Sequence, residues 1–326
     1  MQVNWLLQCV MLLPSGAPSG PSAPIEKKLA VFEPAGEEKD IPERYRLKSH
    51  TFEYEVMLKK SMPLSGIDLL AVRFPSAVKT AHEENNTVHA EYYRPSGKGP
   101  FPCVLILDIT AGDMTISRTI AKHLAKSGIG GVCVYMSYYG PRRPPGCSVR
   151  LLSSDVEQTF DCIRQTVLDL RRAVAWMESR PEIDRQRLGI MGTSLGSFMA
   201  ALTAEVEPKL GRVAVLLGGA DFVDGYHDHP RAAGIFKFLE ALGVTREILK
   251  EAIAPVDPIT LAGNLKNRKV LIVAAKNDEI VPPRMAESLW NATGRQRIIW
   301  LNAGHLSAAL YLLSGLNSVV EHFKAE

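Results

Sequence analysis

Six short runs of almost wholly apolar residues, set between stretches of helical periodicity, leave this chain few architectures. They lie at residues 103–109 (CVLILDI), 130–136 (GGVCVYM), 187–191 (RLGIM), 212–217 (RVAVLL), 269–275 (KVLIVAA) and 297–301 (RIIWL). A strand with one face in water alternates apolar and polar residues; continuous apolar runs mean strands covered on both faces. Helical composition follows at residues 117–126, 154–178 and from about residue 195. Strand and helix in alternation make βαβ units and a mostly parallel sheet. The fold class is therefore α/β.

Upstream of residue 100 the pattern is different. Residues 50–58 (HTFEYEVML), 67–74 and 87–94 (TVHAEYYR) are extended in character, with turn formers between them. They predict an antiparallel section on the N-terminal side of the sheet. Residues 1–45 are rich in proline and charge and are expected to add little to the core, as a leader. Within them, residues 5–13 (WLLQCVMLL) and the Pro/Ser/Gly/Ala stretch at 14–24 follow the order of a secretory signal peptide. The basic n-region and a convincing cleavage site are missing, so an unstructured leader is the alternative. Localisation stays open between a secreted or periplasmic protein and a cytoplasmic one. One domain is expected over residues 46–326. About fifty residues separate the runs ending at 217 and starting at 269. Residues 236–242 and 245–252 in that interval have helical composition, and residues 222–256 are expected to form a small lid; a longer connecting helix pair is the alternative.

Composition excludes several classes. With 326 residues, 46% hydrophobic, the chain can bury a core without metal or disulfide support. Lys and Arg number 38 against 35 acidic residues, a net charge of +3 with no block of one sign. Nucleic acid and acidic membrane surfaces are not favoured partners. No run is long enough for a membrane span, so stable membrane insertion is not expected. The cysteines are Cys9, Cys103, Cys133, Cys147 and Cys162. Cys103 and Cys133 fall in apolar runs and read as small hydrophobes. Cys147 and Cys162 could pair, but an odd, scattered set is no disulfide framework.

Chemistry concentrates in three places. Gly192-Thr193-Ser194-Leu195-Gly196 sits between a strand and a helix. A sharp turn there strains the serine backbone and exposes its hydroxyl, and the flanking glycines admit close neighbours. The helix N-terminus adds free N–H groups and a dipole suited to developing negative charge. A serine hydroxyl needs a base, and the base an orienting acid. Asp278, in Asn277-Asp278-Glu279-Ile280-Val281-Pro282, follows the run ending at 275. His305, in Asn302-Ala303-Gly304-His305, follows the run ending at 301 and is expected to open the last helix.

The segments GTSLG, NDEIVPP and NAGH resemble the three signatures of the α/β-hydrolase superfamily, in the order Ser194, Asp278, His305. Residues 88–110 (VHAEYYRPSGKGPFPCVLILDIT) resemble the entry to the core sheet in dienelactone-hydrolase-like and acetyl-esterase-like members. Dienelactone hydrolases proper carry a cysteine nucleophile; Ser194 here favours ordinary ester hydrolysis. The resemblance implies an acyl-enzyme mechanism on a small-molecule ester, with neither metal nor cofactor. It implies one oxyanion donor at the Leu195 N–H and a second on the loop after residue 107. Many members carry His-Gly on that loop; Asp108-Ile109-Thr110-Ala111-Gly112 stands here, so the donor is Ile109 or Thr110.

Asp221 or Asp224 is the alternative acid, and Glu279 is expected to be solvated. His227 and His229 are two apart, without the further ligands a metal needs, and read as surface residues. His123 reads as structural. Tyr138, Tyr139 and Arg142 lie on a loop at a strand C-terminal end, where ligand-contacting loops gather in open α/β sheets. The tyrosines are expected to shape the substrate pocket and Arg142 to attract an acidic substrate; a rigid Pro-rich surface loop is the alternative. Peptidase or amidase and lactone hydrolase activities share the scaffold. A non-catalytic binding protein is the remaining alternative, although all three triad places are filled.

Overall fold

The computed structural model describes residues 24–325, without the side chains of residues 309, 310 and 312–314. The apolar segment at residues 5–13 and Cys9 lie outside the described residues. The first four strands are β1 (Ile25–Phe32), β2 (His50–Met62), β3 (Ile67–Pro75) and β4 (Thr87–Pro95), each antiparallel to the next. Alternation decides which face is buried: in β2, Phe52, Tyr54 and Val56 point inward and their neighbours outward.

From β5 (Phe101–Leu107) the strands become continuous apolar runs, buried from Pro102 onward in β5. The order continues α1 (Thr115–Lys126), β6 (Gly130–Val134), α2 (Val156–Glu178), β7 (Ile183–Thr193), α3 (Leu195–Val206) and β8 (Arg212–Leu216). Three short helices follow: α4 (Phe222–Tyr226), α5 (Ala233–Ala241) and α6 (Arg246–Ile253). The chain closes with β9 (Lys269–Ala275), α7 (Pro283–Ala292), β10 (Arg297–Leu301) and α8 (Ala308–Lys324). One sheet runs β1-β2-β3-β4-β6-β5-β7-β8-β9-β10, with β5 to β10 mutually parallel and β4 antiparallel to β6.

The strand order places the site. The chain leaves β5 for β6 on one side and returns to β7 on the other, so the loops after β5 and β7 diverge. The crevice between them is where open α/β sheets bind ligands. Helices cover both faces. Ile120 and Leu124 of α1 share one core with Leu316, Val319 and Phe323 of α8. α2, α3 and α7 pack on the other face, where Trp176 lies edge-on to Tyr54 and Tyr92. Among the described residues no helix is long and apolar enough to cross a membrane.

Two expectations need correction, and the open question of a Cys147–Cys162 pair is answered. Residues 25–45 do contribute to the core: β1 is an edge strand, and Ala30, Phe32 and Tyr45 are buried. Only Ala30 and Phe32 of β1 point inward, too short a pattern to read locally, and the partner strand β2 starts eighteen residues later. His305 does not open the last helix; it sits on the loop before α8. Cys147 and Cys162 are free thiols, and Cys147 Sγ faces His82 Nε2 at 3.7 Å instead.

One core residue carries a stability prediction. Glu205, near the end of α3, is 2% exposed, and neither carboxylate oxygen has a hydrogen-bond partner. Burial pushes its pKa well up, and Asp257 adds to this while Arg268 opposes it. An acid whose folded pKa is raised holds its proton more tightly folded than unfolded. Its contribution to stability therefore falls as pH rises from the unfolded value through the raised one. Glu205→Gln, which cannot ionise, is expected to gain in stability relative to the wild type as pH rises toward 8. The gain should shrink toward pH 4.5; urea unfolding at both pH values checks it.

Candidate active site

β7 ends at Thr193 and α3 begins at Leu195, leaving Ser194 alone in the turn. Its φ of 52° with ψ of −119° is a conformation that L-residues rarely adopt. Its N–H donates to Leu216 O at 2.8 Å, and its carbonyl accepts from Ser197 N at 2.9 Å and Ser197 Oγ at 2.6 Å. Close approach explains both flanking glycines. A Cβ on Gly192 would lie 2.0 Å from Gly196 O, and one on Gly196 would lie 2.5 Å from Leu107 O and Asp108 O. Neither neighbour can yield cheaply, since both are backbone. Leu217, just past the end of β8, also has positive φ and lines the same cavity as Ser194. Strain of this kind gathers at functional sites.

The loops after β9 and β10 bring the other two side chains in. Asp278 Oδ1 accepts from the N–H groups of Ile280 and Val281 at 2.9 and 2.7 Å, which locks the carboxylate. Its Oδ2 lies 2.7 Å from His305 Nδ1, and His305 Nε2 lies 3.0 Å from Ser194 Oγ. Asp278 and His305 are 8% and 7% exposed, so little water competes for these bonds. An ionised Asp278 holds the proton on Nδ1 and leaves the Nε2 lone pair facing the serine. The side chains singled out in the sequence as nucleophile, base and acid thus form one continuous chain. Asp221 and Asp224 face Lys250, and neither is the partner of His305.

A cavity of about 260 Å³ opens over Ser194 and His305. Ile109, Thr110 and Ala111 line it from the loop after β5, and Ile116, Leu217, Ile280 and Leu306 supply the rest of an apolar wall. The Leu195 N–H is the first of α3, among the donors an α-helix leaves without an intrahelical acceptor. The β5 loop is staked down by Asp108, whose carboxylate accepts from Met114 N at 2.7 Å and Ser117 Oγ at 2.9 Å. Those partners lie six and nine residues downstream, so nothing local in the sequence marked Asp108 as an anchor.

Tyr138, Tyr139 and Arg142 do not line this cavity. Arg142 is fully buried, bonded to Asp169 Oδ2 at 2.6 Å, Asn85 O at 2.9 Å and Tyr135 O at 3.1 Å. A guanidinium so enclosed cannot meet substrate. Tyr138 Oη lies 3.0 Å from His82 Nδ1 and borders a separate surface hollow. The Tyr139 ring occupies the space beside Gly112, where a Cβ would fall 2.1 Å from its Cδ1. It supports the β5 loop from behind.

Glu279 is solvated, as expected, and makes one bond that the sequence did not suggest. Its side chain is exposed, yet Oε2 accepts the His305 backbone N–H at 2.9 Å. That bond, first among several, holds the carboxyl below its usual pKa. His227 bonds Asp228 and Glu240, and His229 packs on Tyr226. Among the described residues no three His, Cys, Asp or Glu side chains are grouped to hold a metal ion. His123 lies in the last turn of α1.

Comparison with known proteins adds family and fold. Residues 27–225 match the model of the family described as alpha/beta hydrolase domain containing 18. Residues 160–298 match that of the prolyl oligopeptidase family. An uncharacterised protein of Mycobacterium tuberculosis (strain H37Rv) is 28% identical over 204 residues, 59% of this chain and 46% of that protein. A probable 2-oxo-3-(5-oxofuran-2-ylidene)propanoate lactonase of Bradyrhizobium sp. is 29% identical over 111 residues, 34% of this chain and 44% of that one. The chain spans less than half the length of these relatives. Acetyl xylan esterase 1 from Thermoanaerobacterium sp. superposes with a TM-score of 0.61 at 19% identity, over 80% of this chain and 87% of that one. The glucuronoyl esterase from Solibacter usitatus gives 0.57 at 15%, over 91% and 88%. At such identities the likeness carries the fold alone. With more than half of its length matched by the first of these models, the chain belongs to the family of alpha/beta hydrolase domain containing 18.

Proposed function

We propose that this protein is a serine hydrolase of neutral carboxylic esters, acting through Ser194, His305 and Asp278. The observation that carries the reading is His305 bridging the other two, 2.7 Å from Asp278 on one ring nitrogen and 3.0 Å from Ser194 on the other. As Ser194 Oγ attacks the ester carbonyl, His305 Nε2 takes its proton and Asp278 stabilises the imidazolium. The Leu195 N–H, with that of Ile109 or Thr110, binds the oxyanion. His305 returns the proton to the departing alcohol oxygen, leaving Ser194 acylated. Water, deprotonated by the same nitrogen, then attacks the acyl carbonyl and releases the acid.

The apolar cavity wall favours an uncharged hydrocarbon acyl group, and among the described residues no Lys or Arg side chain lines it to receive a carboxylate. The segment 222–256, expected as a lid, touches the acid loop where Tyr226 Oη of α4 donates to Ile280 O at 2.9 Å, and the cavity lining comes from other segments. Amide cleavage is the second reading, favoured by the match of residues 160–298 to the prolyl oligopeptidase family. A fluorophosphonate probe tests the assignment. It should modify Ser194, identified by peptide mass, and block hydrolysis of p-nitrophenyl esters. Failure to label Ser194 in protein that hydrolyses esters removes it as nucleophile. A matched p-nitroanilide and a lactone in the same panel separate ester from amide and lactone preference.

A further inference from the structure

We infer that Glu279 is a positioning residue for His305, fixing its main chain while Asp278 fixes its ring; the inference rests on the triad proposed above. Consecutive residues in non-helical backbone point in different directions, so adjacent carboxylates are not expected to serve one target. Here they do. Asp278 Oδ2 meets the imidazole at 2.7 Å, and Glu279 Oε2 meets the same residue's N–H at 2.9 Å.

The loop that carries His305 is closed on itself at Gly304, whose N–H donates to Ser307 Oγ at 3.0 Å and whose carbonyl accepts from Ala308 N at 2.9 Å, and it is tied to the β9 side at separate points. β9 and β10 continue their hydrogen bonding past the strand ends, Lys276 N to Leu301 O at 2.9 Å and Asn277 N to Ala303 O at 3.0 Å. The Glu279 bond is the next tie in that series and lands on the base itself. Beyond it Leu306 is 74% exposed, and α8 begins only at Ala308. Gly304 has room for the clamp because it lacks a side chain; a Cβ there would fall 2.6 Å from Glu279 Oε2.

The clamp has an electrostatic side. Taking the proton of Ser194 makes His305 a cation, and a second anion beside it stabilises that state. The charged and titratable groups facing His305 are Asp278 and Glu279 from the β9 loop and Ser194 from the elbow. Tyr226 of α4 faces the Asp278 carboxylate in turn. Glu279 carries its charge at the open side of the site, so its influence on the ring is screened by water.

Two substitutions separate the contributions. Glu279→Gln keeps an oxygen that accepts the His305 N–H and loses the charge; Glu279→Ala loses both. Glu279→Ala should lower kcat about tenfold with KM unchanged, the size of one charge-assisted hydrogen bond. Glu279→Gln should recover most of that on the pH plateau. In both, the NMR titration of the imidazole and the acid limb of kcat/KM should move to lower pH as the neighbouring negative charge is lost. Glu279→Ala with wild-type kcat and an unmoved His305 titration overturns the inference. So does a kcat loss in Glu279→Ala that Gln does not recover and that leaves the titration unmoved. The NMR titration needs no turnover, and fluorophosphonate labelling of the wild type reports on Ser194. Failure of the triad and failure of the Glu279 inference therefore give different results.

Discussion

Ser194→Ala protein is expected to lose p-nitrophenyl ester hydrolysis by about a millionfold in kcat while keeping the wild-type melting temperature. The size follows from how a triad works: its members act as a unit, and removing the nucleophile leaves only the oxyanion donors and binding, worth roughly a thousandfold over water. The fold should not suffer. The Ser194 main chain holds the turn between β7 and α3 through Leu216 and Ser197, whereas its side chain, among the described residues, bonds His305. Alanine keeps the backbone and deletes one hydroxyl. Steady-state kinetics on both proteins, with thermal unfolding as the control for folding, check the expectation. A loss of less than about tenfold places the nucleophile elsewhere and ends the triad reading.

Arg142→Ala is expected to lower stability by about 3–5 kcal/mol without changing the preference between neutral and anionic esters. Arg142 and Asp169 are fully buried, 2.6 Å apart, and the guanidinium also holds the carbonyls of Asn85 and Tyr135. Truncating it leaves the Asp169 charge enclosed without its guanidinium partner, with Ser76 Oγ and Ala77 N still donating to it. Breaking one side of a buried pair costs far more than the pair is worth. Arg142→Met combined with Asp169→Leu should therefore recover most of the loss. Urea unfolding gives the stabilities, and kcat/KM on a matched neutral and anionic ester gives the preference. A stable Arg142→Ala protein that selectively loses the anionic ester would return this arginine to the substrate.

The architecture and the three candidate reacting side chains were legible because their signals are local. Continuous apolar runs at 103–109 and 269–275 mark strands covered on both faces, and each reacting residue follows such a run within a few positions. A residue just past the C-terminal end of a parallel strand has little freedom over where it ends up, since every such end opens on one edge of the sheet. The errors fall where partners are distant. β1 is held by β2, and Arg142 by a helix residue twenty-seven positions on.

The chain by itself determined the strand and helix rhythm, the strained serine turn between two glycines, and the order in which nucleophile, acid and base appear. These depend on residue type and short-range spacing, which a linear string records. Only the tertiary structure decided that Arg142 is enclosed while Ile109 and Thr110 face the cavity, and that Glu279 reaches back to the His305 main chain. Burial and hydrogen-bond partners are set by which surfaces meet after folding, and those surfaces lie tens of residues apart along the chain.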